Sequence, residues 1–205
     1  MKVLTLVIIL FTGLSLKNTV NENAWHFVKE TNGVKVFYRE TAGSPIREVK
    51  ITTTFDADMN SVLSVLGDVK NYPKWVYGAT ESRILKRISP IEMNYYNKLD
   101  FPWPLDDRDI VIHTKIQQKN GLVYSVSEAA PQALPVNAGL VRMTHFNSRW
   151  TFKTDDKQVQ AEYQFSSDPG GNIPTWMVNM ALDQGPLKTI QNFKKLLRET
   201  EVPAN

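Results

Sequence analysis

Between residues 80 and 167 the chain reads as strand after strand, with no helical pattern among them. Alternating, β-branched and aromatic runs fall at about 80–88, 92–100, 108–118, 121–129, 140–153 and 158–167. Ser89-Pro90, the Pro102-Trp103-Pro104 segment, Asn120-Gly121 and Asp155-Asp156 supply the turns. Asn-Gly between alternating runs is a strong hairpin signal. Ala129–Ala138 carries two prolines and reads as an ordered loop. Six consecutive strands imply a strongly bent antiparallel sheet. Its concave apolar face needs a cover. The long amphipathic helix expected from about Pro174 to Arg198 can supply it. Trp176, Met180, Leu187, Ile190 and Leu197 share one face of that helix, flanked by Met177 and Phe193. Gly185-Pro186 should kink or break it. A helix lying in a curved sheet leaves a gap wherever large side chains do not fill it. That gap is the candidate functional site.

Upstream, residues 24–31 read as a short amphipathic helix anchored by Trp25, Phe27 and Val28. Asn32-Gly33 is a turn signal. Val34–Glu40 and Ile46–Phe55 read as a hairpin with a loop around Gly43-Ser44-Pro45. Asp58 is placed to N-cap a helix over about Met59–Val69, ended by Tyr72-Pro73. The class is therefore α+β, with a single domain over residues 21–205.

The first 20 residues differ from the rest. Lys2 precedes an apolar run, Val3–Leu14, with small residues at Gly13 and Ser15. This fits a secretory signal peptide and is shorter than the roughly 20 apolar residues of a spanning helix. The expectation is export to the periplasm or the extracellular space. An uncleaved membrane anchor and a buried N-terminal helix are the alternatives. The chain has 24 basic and 21 acidic residues. Losing the leader removes Lys2 and Lys17 and no acid, so the charge nearly balances. No concentrated basic stripe marks a nucleic-acid partner, and none is expected. The absence of cysteine removes disulfide frameworks, thiolate metal sites and cysteine nucleophiles.

Several segments carry a family resemblance. They are VRMTH at 141–145, Trp150-Thr151-Phe152, YQFSSDPGGNIPTWMVN at 163–179, and the helix ending in KKLLRE at 194–199. Upstream stand Asn71-Tyr72-Pro73-Lys74-Trp75 and Pro104-Leu105-Asp106-Asp107-Arg108-Asp109. Together they resemble the START domain, the steroidogenic-acute-regulatory-related lipid-transfer domain, within the helix-grip or Bet v 1-like superfamily. The resemblance spans roughly residues 25–200. It implies a curved antiparallel sheet wrapped around a long C-terminal helix, with an internal hydrophobic tunnel. It implies one bound lipid or sterol-like molecule, the helix serving as gate. The buried acid–arginine pair of sterol-type members falls on Tyr95 and Thr114 here. Both are neutral, so sterol specificity is not carried over.

Strand parity selects the tunnel lining. The inward sets are Arg108, Ile110, Ile112 and Thr114; Met93, Tyr95, Asn97 and Leu99; and Val159, Ala161, Tyr163 and Phe165. The ligand-binding candidates are Tyr95, Arg108, Ile112, Thr114, Arg142, His145, Tyr163, Trp176, Met177 and Met180. Arg142 and His145 match family positions on the strand before Trp150, and there a head-group contact competes with an internal salt bridge, to Glu128 or Asp183. For Arg108 an Arg–Asp network bracing its loop outweighs a calcium-type site, since an arginine among the acids opposes a cation. Trp176, Met177 and Met180 suit a pocket for variable apolar ligands as well as plain core packing. Trp103, between prolines, is a candidate for transient membrane contact. No catalytic residue, metal or cofactor is expected: nucleophile elbow, zinc-helix and phosphate-loop motifs are absent. A cyclase or dehydratase acting in the same cavity is the alternative, with His145, Tyr95, Tyr124 or Tyr163 as base.

Overall fold

The structure is a computed structural model that describes residues 24–182 and 184–201. The expected leader, residues 1–20, and Asp183 lie outside the described residues. Ten strands form one sheet: β1 (His26–Thr31), β2 (Val34–Thr41), β3 (Ser44–Phe55), β4 (Ala79–Ser89), β5 (Glu92–Leu99), β6 (Arg108–Lys119), β7 (Leu122–Ala129), β8 (Val141–Arg142), β9 (His145–Asp155) and β10 (Gln158–Asp168). Helix α1 (Met59–Gly67) follows β3, and α2 (Thr175–Ala181) and α3 (Gln184–Glu201) follow β10. The strand order is β1-β2-β3-β10-β9-β7-β6-β5-β4, with β8 pairing β6 in parallel. All other pairings are antiparallel. This is the bent antiparallel sheet with a C-terminal helix that the strand series implies, and the α+β helix-grip arrangement that the resemblance implies. Among the described residues no helix is long and apolar enough to cross a membrane.

Three local expectations need correction. Residues 26–31 form an edge strand, not a helix. Asn32 and Gly33 both take positive φ, 53° and 69°. That is the two-residue hairpin turn favoured by strand twist, and it folds β1 back on β2. The expected strand over 140–153 divides into β8 and β9, because Val141 and Met143 donate to Asp107 and Asp109 of the β6 start, whereas β9 pairs with β7 and β10. The C-terminal helix is interrupted earlier than Gly185-Pro186, since α2 ends at Ala181 and α3 begins at Gln184. Pro186 thus falls in the first turn of α3, where its missing N–H is an orphan in any case.

Asp58 caps α1 as expected, its carboxylate accepting from Ser61 N at 2.8 Å. The helix buries Val62, Val65 and Leu66 and ends sooner than the sequence suggests. Val69–Lys74 forms a separate 3-10 turn containing Pro73, fixed by the Tyr72 hydroxyl donating to Leu66 O at 2.6 Å. Helix α3 buries Ile190, Phe193 and Leu197, whose three- and four-residue spacing puts them on one face. Phe193 is the plug. Its ring centroid lies 4.9 Å from Phe55 and 4.7 Å from Trp75. Large side chains therefore fill the fold at this end.

Candidate functional site

Further along the concave face the inward side chains shrink. Thr114 of β6, Ser125 and Ser127 of β7, Ser148 of β9 and Ser167 of β10 occupy positions that could hold large apolar groups. They leave a cavity of about 290 Å³, near the lower end of the roughly 300–1,000 Å³ of small-molecule pockets. Its apolar walls are Met93 and Leu99 of β5, Ile110, Ile112 and Ile116 of β6, Phe146 and Trp150 of β9, and Phe165 of β10. Tyr95 and Tyr163 add two phenols, and Asn97 an amide. Leu66, Gly67, Tyr72 and Trp75–Tyr77 close one side, and Gly185, Pro186 and Thr189 of α3 close the mouth.

The polar groups in the interior of this wall are hydroxyls, phenols and an amide. Burial pushes the Tyr72 and Tyr95 phenols well above their ordinary range; Tyr72 raises Tyr95 further, whereas a hydrogen bond with Tyr95 partly lowers Tyr72. Burial lifts Tyr163 to about 12, against a lowering hydrogen bond with Ser148. None of the three is a phenolate at neutral pH. Ser127 donates to Thr114 Oγ1 at 2.8 Å, and Ser125 lies 3.4 Å from the same oxygen.

Of the ten sequence candidates, the cavity gathers Tyr95, Ile112, Thr114 and Tyr163. The others are placed elsewhere. Arg108 is buried but donates to the carbonyls of Asp106, Pro169 and Gly170. Its guanidinium also lies 4.4 Å from the Phe101 ring centroid. It clamps the Asp-Pro-Gly-Gly turn to the start of β6, so the two most specific motifs brace one another. A Cβ at Gly171 would stand 3.3 Å from the Arg108 guanidinium, and Gly171 has φ +69°; glycine fits both demands. Arg142 forms a two-pronged pair with Asp109, at 2.7 and 2.8 Å. The side chains are 5% and 0% exposed; the internal salt bridge expected for Arg142 is made with Asp109, and Asp183 lies outside the described residues. His145 is exposed, because Phe146, Ser148 and Trp150 set the inward parity of β9. Trp176 and Met177 are 61% and 40% exposed on α2, away from the lining. The Met180 side chain lies outside the described residues. Two of the carboxylates near Arg108 have partners of their own: Asp107 meets Lys98 at 3.0 Å, and Asp109 meets Arg142. Among the described residues no cluster could hold a metal ion.

Sequence reasoning missed Trp75, Ser125, Ser127, Phe146 and Ser148 as lining. The parity rule applied to Trp150 finds the β9 residues. On β7 the signal is Ser125 and Ser127 alternating with Tyr124 and Val126.

A bent sheet closed by a C-terminal helix over an apolar cavity is the architecture of a carrier for one hydrophobic molecule. The chain belongs to the START domain family, whose model matches residues 10–201. It is similar to an uncharacterized protein of Pseudomonas aeruginosa, 30% identical over 172 residues that cover 83% of this chain and 85% of that one. It is also similar to the phosphatidylcholine transfer protein of Bos taurus, 25% identical over 187 residues, covering 84% of this chain and 86% of that protein. Among solved structures, a STAR-related lipid transfer protein fragment from Xanthomonas axonopodis superposes with a TM-score of 0.81 at 31% identity. That match covers 85% of this chain and 98% of the fragment. An aromatase/cyclase from Streptomyces shares the fold alone, at 13% identity and a TM-score of 0.56.

Proposed function

We propose that this protein binds one lipid or similar hydrophobic molecule in the cavity and carries it between membranes. The observation that supports this best is the row of small inward residues that opens an apolar cavity beside an otherwise tightly filled core. Withdrawing the ligand's chain from water supplies the affinity, about 0.8 kcal/mol per CH₂. Exchange requires an opening. The mouth is held by few contacts: Thr189 Oγ1 accepts from Tyr77 N at 3.0 Å, and Asn192 Nδ2 donates to Trp75 O at 3.3 Å. The start of α3 is therefore the gate.

A carrier role fits better than the cyclase alternative. None of the three histidines is among the cavity-lining residues: His145 is exposed, and His113 is paired with Glu92 at 2.9 Å. The lining phenols resist ionisation. His145→Gln should leave any activity of the cavity unchanged. We further propose that the leader directs export, as the apolar run after Lys2 suggests.

The test is transfer of a fluorescent lipid from donor to acceptor vesicles. The protein should accelerate it, and an unchanged rate would remove the proposal. Membrane contact through Trp103 is part of the same reading. This side chain is 92% exposed on the loop between β5 and β6, and loop tryptophans suit the membrane interface. Trp103→Ala should leave thermal stability within about 0.5 kcal/mol and lower the vesicle-bound fraction in flotation. An unaltered bound fraction would place the contact elsewhere.

A further inference from the structure

Two buried polar groups in the cavity wall have no hydrogen-bond partner among the described residues. They are the Trp75 indole Nε1 and the Asn97 Oδ1. The residues are 4% and 5% exposed, and both line the cavity. Trp75 can only donate there, and the Asn97 oxygen can only accept. Folding leaves neither capacity used, which is unfavourable for the empty protein. Tyr72 packs against both Trp75 and the β5 neighbour of Asn97: its ring lies 4.8 Å from that of Trp75 and 5.4 Å from that of Tyr95. Tyr95 and Asn97 stand two residues apart on β5, so both face the cavity.

Charge is absent from this end. Of the residues lining the cavity only Arg87 and Glu92 are charged. Arg87 is exposed, and the Glu92 carboxylate is taken by His113 at 2.9 Å and Lys115 at 3.1 Å. A phosphate drawn inside would find no opposite charge, and burying unpaired charge is strongly unfavourable. A hydroxyl or an amide both accepts and donates, so it answers an unpartnered donor and an unpartnered acceptor without a charge.

We infer that the cavity selects an apolar molecule bearing a neutral hydroxyl or amide, held at Trp75 and Asn97, over a zwitterionic phospholipid. This rests on the carrier reading and narrows its ligand class. It also separates this chain from the phosphatidylcholine transfer proteins it is similar to.

The test incubates the full chain with phosphatidylcholine vesicles doped with diacylglycerol, ceramide and a sterol. The protein is re-isolated, and its bound lipid is extracted and quantified. One neutral class should be enriched at least about tenfold over phosphatidylcholine, relative to the vesicle composition. Asn97→Leu should cut that enrichment about tenfold and raise the melting midpoint of the lipid-free protein, because it removes an unpartnered buried oxygen. Trp75→Phe keeps a ring in place, deletes only the donor function, and should reduce enrichment similarly. It carries the test if the leucine variant does not fold. Phosphatidylcholine as the bound lipid overturns the inference and leaves the carrier reading standing. Enrichment unchanged in both variants also overturns it. Uptake of no lipid at all overturns the carrier reading itself.

Discussion

Cysteines introduced at Tyr77 and Gly185 are expected, once oxidised to a disulfide, to reduce lipid transfer to the rate of a protein-free control. The two positions lie side by side at the mouth: a Cβ at Gly185 would stand 3.2 Å from Tyr77 Cδ1. Gly185 is not in the left-handed region, so a side chain there brings no backbone strain. The chain has no cysteine of its own, so the new pair cannot mispair with a native thiol. The bond would pin the start of α3 and leave its buried face untouched, where Ile190, Phe193 and Leu197 hold the core. Circular dichroism and the melting midpoint should therefore be preserved. Reductant should restore transfer. Full transfer by the oxidised protein would show that ligands enter elsewhere.

The largest stability effect belongs to Arg142. Replacing it by leucine should cost about 3–5 kcal/mol, the usual loss when one partner of a buried ion pair is removed. The reason is what remains: Asp109, fully buried, would keep its carboxylate without a cation. The guanidinium also donates to the carbonyls of Pro131, Leu134 and Pro135, at 3.0, 2.8 and 3.1 Å. The loop after β7 would therefore lose its anchor as well. Its removal reaches the site through Met143, the next residue, which lines the cavity. Urea denaturation measures the change. Arg142→Leu combined with Asp109→Leu should recover part of the loss, since no unpaired charge is left. A cost below about 1 kcal/mol would mark the pair as no stronger than a surface one.

Much of this fold is legible from local patterns. The Asn120-Gly121 turn and the alternation on β5 and β6 place Met93, Tyr95, Asn97, Leu99, Ile110, Ile112 and Thr114 on the cavity side, where the structure has them. That works because side-chain direction on an unbroken strand follows a strict period of two. Arg142 and His145 rest on the resemblance and not on parity: His145 stands out of phase with Trp150 on β9, and Arg142 lies on the separate strand β8, held by Asp109. The edge strand at 26–31 was hidden because six residues carry both a helical and a strand pattern, and the Asn32-Gly33 turn decides between them. Trp176 and Met177 look like core because helical spacing does not tell which part of an amphipathic segment meets the sheet. The Arg108 clamp depends on carbonyls about 60 residues away, and no local pattern announces such a contact. The cavity itself is set by small residues on four neighbouring strands. Each serine is unremarked alone, and only their alignment across the sheet leaves space.

Native mass spectrometry of the protein as purified, followed by extraction and identification of what is bound, tests the carrier reading most directly. The same spectrum reads the mature mass and so reports whether the leader has been removed. The expected result is a single lipid-sized adduct at one per chain, released on denaturation and absent when the oxidised Tyr77/Gly185 cysteine variant is closed before exposure to lipid. A protein that emerges empty and stays empty after incubation with vesicles would contradict a role as carrier.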